Sequence, residues 1–319
     1  MIFCRYPQVK TYIFCVLVFL SCPNFNAQQD SQFTQYFFST QVINPGYIGS
    51  RDFASAGLIA RSQWVNFEGA PRTGTLTFST PLGRLQKMAV GFTALQDAIG
   101  PVTQSLFTAD YSYNLYITEN NRVSFGIKPG LSLFNLDLNK LNLDDPNDVF
   151  RYADQTQLNP YLGLGIYYAS ERFYAGLSVS NLLGSITSGN GLPDTATSSF
   201  SPYERAHYYL MTGYVLDLNS NLKFKPASLL KAVRGAPLQW DISANFLYNE
   251  KLLLGASYRW SAAWSAVAGF QLMDPIFMGV AYDYQTTELQ QYSNGSYELI
   301  LVFNLGNSEC GCSLKKRFF

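Results

Sequence analysis

Val123-Ser124-Phe125-Gly126-Ile127-Lys128-Pro129-Gly130-Leu131-Ser132-Leu133 decides the fold. Its odd positions are all apolar, and its even positions are serine, glycine or lysine. Successive side chains of an extended chain point to opposite faces, so a strand here carries one greasy face and one small, hydrophilic face. The pattern recurs at Phe173, Ala175, Leu177 and Val179, and at Leu238, Trp240, Ile242, Ala244, Phe246 and Tyr248. It returns at Trp264, Ala266, Ala268, Phe270 and Leu272, and again at Tyr297, Leu299, Leu301, Phe303 and Leu305.

Taken as strands, the alternating runs fall near 51–61, 73–80, 87–96, 103–117, 122–134, 156–169, 172–182, 204–216, 221–226, 237–248, 252–260, 263–272, 276–285 and 296–305, fourteen in all. Tight connections at 118–121, 170–172, 217–220, 249–251 and 273–275 follow even-numbered strands. Long ones at 62–72, 135–155, 183–203, 227–236 and 286–295 follow odd-numbered strands. Short turns on one side and long loops on the other mark an all-β protein of the outer-membrane type. This is a transmembrane antiparallel β-barrel of about 14 strands, with its short turns and both termini in the periplasm. The competing architecture is a soluble β-sandwich, which directs large side chains inward. Here the inward candidates are Ser, Gly, Asn, Asp and Lys, and aromatics cluster near strand ends: Tyr111, Tyr113, Tyr116, Tyr167, Tyr168, Tyr208, Tyr209, Trp260 and Trp264. Hydrocarbon also demands closure, because an unpaired backbone group there costs several kcal/mol.

Composition agrees. Of 319 residues, 47% are hydrophobic and only 14% charged, with 22 basic and 22 acidic side chains. A soluble domain carries roughly a quarter charged residues, and a nucleic-acid binder needs a basic excess. No stretch approaches the 18 consecutive apolar residues of a membrane helix. Residues 1–27 read as a signal peptide, with Arg5 and Lys10 ahead of the apolar run Ile13 to Leu20 and cleavage expected after Ala27. Lipoprotein processing at Cys22 is the alternative. Cys4, Cys15 and Cys22 lie in this leader, which leaves Cys310 and Cys312 and no disulfide framework. The chain then divides into a periplasmic arm or lumen plug at 28–50, the barrel at 51–305, and a periplasmic tail at 306–319.

Chemistry is sparse. His207 is the single histidine, beside Tyr208 and Tyr209, and no orienting partner for a lipase-like Ser–His pair is identifiable. It suits a headgroup-level aromatic cluster. Asp144-Asp145-Pro146-Asn147-Asp148 lacks the alternate spacing of a calcium loop, and Ser188-Gly189-Asn190-Gly191 lacks a phosphate-loop lysine. Cys310-Gly311-Cys312 has no histidine nearby to complete a metal site. No catalytic, cofactor or metal residues are assigned, and no small-molecule substrate is expected. The residues singled out for partner binding are Gln32, Phe33, Gln35, Tyr36, Asn44, Pro45 and Tyr47, because aromatic anchors with amide hydrogen bonding suit an interface core. The same residues serve equally well as a plug that closes the pore.

Gln29-Asp30-Ser31-Gln32-Phe33-Thr34-Gln35-Tyr36, followed by Asn44-Pro45-Gly46-Tyr47-Ile48-Gly49-Ser50, resembles the start of the mature chain in the PorP/SprF family of type IX secretion system membrane proteins. Arg61-Ser62-Gln63-Trp64, Gly69-Ala70-Pro71-Arg72-Thr73, Thr80-Pro81-Leu82-Gly83, Asp97-Ala98-Ile99-Gly100-Pro101 and the strand Phe173 to Leu183 extend the likeness to about Gly306. Ser31 stands where the family usually has Pro, Gly46 and Ile48 where it has Ala, and the Cys-Gly-Cys tail has no counterpart. The resemblance implies a non-enzymatic outer-membrane barrel of a diderm bacterium. It would dock periplasmic lipoprotein or ring subunits of the secretion machine, or support export and surface attachment of a large adhesin-like protein, with a possible link to gliding motility. A passive outer-membrane porin is the alternative function.

Overall fold

The computed structural model describes residues 31–137, 155–183 and 205–305. Fifteen strands form one antiparallel sheet: β1 (Ala54–Ser62), β2 (Arg72–Leu82), β3 (Met88–Ile99), β4 (Val102–Tyr116), β5 (Arg122–Leu136), β6 (Gln155–Ala169), β7 (Phe173–Ser180), β8 (His207–Tyr214), β9 (Leu216–Asn219), β10 (Leu222–Val233), β11 (Gln239–Tyr248), β12 (Leu252–Arg259), β13 (Ala263–Met273), β14 (Ile276–Gln285) and β15 (Ser296–Leu305). Apart from β8 and β9, each pairs with its neighbours in sequence. The ring closes where β1 meets β15, in register from Ala54 opposite Leu305 to Ser62 opposite Tyr297. β8 and β9 are two pieces of one stave, both paired to β10, so the barrel has fourteen staves.

Closure follows from the solvent. Lipid offers the backbone no partner, so every N–H and C=O must bond within the wall, and a ring has no edge. The two faces obey the expected parity. On β5, Phe125, Ile127, Leu131 and Leu133 are exposed to the lipid side, while Ser124, Lys128 and Ser132 are buried toward the lumen. Short turns line one rim. At the β11–β12 turn, Asn249 and Glu250 both have positive φ (50° and 56°), and Lys251 N–H donates to the Tyr248 carbonyl at 3.0 Å, forming a type I′ hairpin. The opposite rim carries the connections 63–71, 234–238 and 286–295, together with the adjoining ends of β5, β6, β7 and β8.

Three sequence expectations change. The stave placed at 221–226 runs to Val233, so most of the supposed loop 227–236 is strand. Its inward set is Lys225, Ala227, Leu229, Lys231 and Val233, a mixture that blurs the alternation, and its outward set includes Pro226 and Ser228. Second, the lumen is not hydrophilic all round. Leu253, Val267, Phe277, Ala281, Ile300 and Val302 face inward and are buried, because an apolar segment packs against them. Third, Tyr167, Tyr209 and His207 leave the proposed headgroup girdle and point into the lumen. His207 is 3% exposed, with its ring stacked on Tyr209 at 6.3 Å. Tyr111, Tyr113, Tyr116, Tyr208, Trp260 and Trp264 are exposed on the outer face, as expected of a girdle. The acidic run at 144–148, the glycine-rich run at 188–191, the signal residues and the Cys310–Cys312 tail lie outside the described residues.

Candidate functional site in the barrel lumen

The segment ahead of β1 lies inside the barrel. It contains one helical turn, α1 (Thr40–Ile43), and a 3-10 helix, η1 (Pro45–Ser50), with the Asn44 side chain between them accepting from Gly46 N–H at 2.9 Å. Such an asparagine cap followed by proline starts a new helix and turns the chain. From Phe33 to Ser50 all but Phe38 and Val42 are buried.

The segment descends through the lumen from one rim to the other. Near the long-loop rim, Gln32 Nε2 donates to Gln239 Oε1 at 2.7 Å, on the first residue of β11. One step down, a buried charge cluster holds Thr34 and Gln35. Arg61 on β1 pairs with Asp283 on β14 at 2.6 Å and with Glu298 on β15 at 2.9 Å, all three side chains 1% exposed or less. The two Glu298 oxygens accept the backbone N–H groups of Thr34 (2.8 Å) and Gln35 (2.9 Å), and the Thr34 hydroxyl joins Arg61 and Asp283. This cluster therefore ties the first stave, the last two staves and the plug at a single point.

At mid-height Gln41 Nε2 donates to Asp110 at 2.9 Å and to the Phe78 carbonyl at 3.0 Å, and Asp110 is paired to Lys128 at 2.8 Å. The opposite wall supplies the apolar contacts. Phe33, Phe37 and Ile43 join the buried cluster with Leu229, Met211 and Ile300, the Phe38 ring packs tilted against Phe277 at 4.8 Å, and Lys225 sits 5.1 Å over the Phe37 ring. Tyr36 reaches Ser243 on β11 at 3.0 Å. Further down, Asn44 Nδ2 donates to the carbonyl of Ile166 at 3.0 Å. Pro45 and Gly46 lie against Gly126 so closely that a methyl group there would overlap their backbone, and Gly165 is likewise filled by the Asn44 amide. Tyr47 packs edge-on to Tyr167 at 5.5 Å. At the short-turn rim Arg122 donates to the Ser50 carbonyl and to Asp52 at 2.7 Å, and Arg51 reaches Asn304 at 3.2 Å.

All seven residues singled out from the sequence thus gather in the lumen. Gln35, Tyr36, Asn44 and Tyr47 are 0%, 2%, 0% and 6% exposed, and Phe33 and Pro45 are buried. Only Gln32 keeps appreciable surface. What they contact is the barrel's own inner wall, so a partner could meet the buried six only with the segment out of the lumen. Sequence reasoning did not single out Thr34, Gln41, Arg61, Asp110, Lys128, Asp283 and Glu298. The signal that marks the groove is the run of inward glycines on β5, β6 and β7 (Gly126, Gly165, Gly176), which clears room for a second backbone. Cavities of about 60 and 20 Å³ flank the plug at the short-turn and long-loop ends. Among the described residues no cluster of His, Cys, Asp or Glu is arranged to hold a metal.

The geometry defines a class: an outer-membrane β-barrel whose lumen is filled by the polypeptide preceding its first strand. Residues 25–303 match the model of the type IX secretion system membrane protein PorP/SprF, and the chain belongs to that family. It is therefore an outer-membrane component of type IX secretion. No curated protein matches the chain. Among solved structures, the CymD monoaromatic hydrocarbon channel aligns at 8% identity over 84% of this chain and 93% of its own, with TM-score 0.50. A Pseudomonas aeruginosa FadL homologue (11% identity, 82% and 93% covered, TM-score 0.46) and Omp33 of Acinetobacter baumannii (10%, 80% and 99%, 0.47) are also similar. At such identities the likeness concerns the barrel fold.

Proposed function

We propose that this barrel is a non-enzymatic member of the secretion apparatus. It either docks periplasmic lipoprotein or ring subunits, or supports export and surface attachment of a large adhesin-like protein, with surface motility as a downstream consequence. The family match carries this reading, and the occupied lumen supports it over a passive porin, since residues 33–50 pack against the inner wall from the long-loop end to the short-turn rim. A lipid-directed enzyme is disfavoured because His207 is packed inside against Tyr209, away from the lipid.

Deletion of the chain in its native cell, followed by surface proteomics, tests the proposal. Particular proteins should vanish from the surface while the envelope stays intact, and unaltered surface display would overturn it. A crosslinked pull-down separates the two roles, with periplasmic subunits dominating in one case and one large surface protein in the other.

A further inference from the structure

The expected leader ends at Ala27, and the short-turn side of such a barrel faces the periplasm. An amino-terminal arm is accordingly expected on the periplasmic side. The order of contacts along the plug runs the other way. Ser50 and Arg51, adjoining β1, sit at the short-turn rim beside Arg122 and Asn304. Thr34 and Gln35 sit at Arg61, Asp283 and Glu298, each close to the end of its stave that leads into or out of a long connection. Ser31 and Gln32, both only partly buried, line a small cavity at the long-loop mouth with Lys231, Gln239, Asp241 and Arg259. The chain has therefore crossed the membrane once inside the lumen before β1 begins.

We infer that Ser31 and Gln32 open to the outer face of the membrane, so that the arm runs inward through the lumen from the outer mouth to the periplasmic rim before β1 begins. This topology stands independently of the function proposed above.

The test uses the full chain in its native outer membrane with Cys310→Ser and Cys312→Ser, so that an introduced cysteine is the only target. Ser31→Cys should react with a membrane-impermeant maleimide in intact cells as fully as after outer-membrane permeabilisation. Asn120→Cys, in the short turn after β4, should react only after permeabilisation. Labelling of Ser31→Cys confined to permeabilised cells, or absent from both while the barrel remains heat-modifiable, overturns the topology. Gln32→Cys replaces it if that variant fails to fold. Failure of the topology arm leaves the deletion phenotype unaffected, so the two readings fall separately.

Discussion

Removing the Glu298 carboxylate is the sharpest perturbation of the plug. Its two oxygens accept the Thr34 and Gln35 amides at 2.8 and 2.9 Å, and one of them also takes Arg61 at 2.9 Å, with the side chain fully buried. In Glu298→Ala the two amides lose their acceptor, and Arg61 keeps Asp283 alone among its carboxylates. Breaking one partner of a buried ion pair costs about 3–5 kcal/mol, and each stranded amide adds about 1–3 kcal/mol. Water reaching the vacated space from the mouth recovers part of this, so the lower figure is the safer one. About 3 kcal/mol shifts the ratio of seated to displaced plug roughly a hundredfold. The wall should survive, because the β15 ladders to β1 and β14 run through backbone atoms that the substitution leaves in place. Single-channel recording in a planar bilayer is the assay, with a boiled-versus-unboiled gel shift to show an intact barrel. The unaltered chain should be sealed and Glu298→Ala should open in bursts, with Glu298→Gln, which retains one acceptor oxygen, in between. A folded Glu298→Ala barrel as silent as the parent would refute the claim that this cluster holds the plug.

Three further outcomes are expected. Gly126→Val and Gly165→Ala should each expel the Asn44–Gly46 stretch from its groove and raise conductance, since any Cβ there meets plug atoms. Lys128→Met strands Asp110 with Gln41 and Thr93 as its remaining donors, and should lower the urea midpoint by the equivalent of about 3–5 kcal/mol. Adding Asp110→Leu to that variant should restore much of the loss, and no restoration would argue against a compensated buried pair. On the lipid side, Leu131→Arg, midway along β5, should cost about 2–4 kcal/mol, whereas Tyr116→Arg at the rim should cost about 0–1 kcal/mol. Equal costs at the two sites would contradict the placement of the hydrocarbon band.

The wall was largely legible because lipid enforces the alternation that a reader can see. Phe125 and Leu131 must be apolar, and Ser124 and Ser132 face a crowded interior that favours small groups. The reading failed where the interior is not water. β10 lost its pattern because Ala227 and Leu229 join the buried cluster with Phe33 and its neighbours, so both faces of that strand carry apolar residues and neither parity stands out. Tyr167 and Tyr209 were misplaced for the same reason: a tyrosine near a strand end serves a headgroup or a plug equally well, and composition does not distinguish them. The plug itself has no period, since its residues satisfy a tube from within. Its partner Arg61 lies 222 positions from Asp283 and 237 from Glu298, and only closure of the ring brings them together.

The two kinds of contact in the lumen do different work. Arg61, Glu298 and Asp110 each bond a specific plug atom, and Asn44 of the plug bonds the wall carbonyl of Ile166, so these ties set depth and register, yet water would replace most of those bonds if the segment left. The aromatic residues are different: water offers Phe33 and Phe37 nothing, and burying each contributes roughly 1.5–3 kcal/mol. Grip therefore comes from the apolar contacts and position from the polar ties, which reach the plug from β1, β4, β6, β14 and β15. A partner that drew the segment out would have to cover those rings with apolar surface of its own. Phe37→Ser separates the two contributions. It leaves the hydrogen bonds and ion pairs described above intact, so if position and grip are distinct, the plug should exchange more freely while still reseating at the same depth. Conductance should then show frequent openings between closed states as tight as the parent's. Persistent leak with no sealed state would mean that the rings set the register as well, and that the division between the two kinds of contact is wrong.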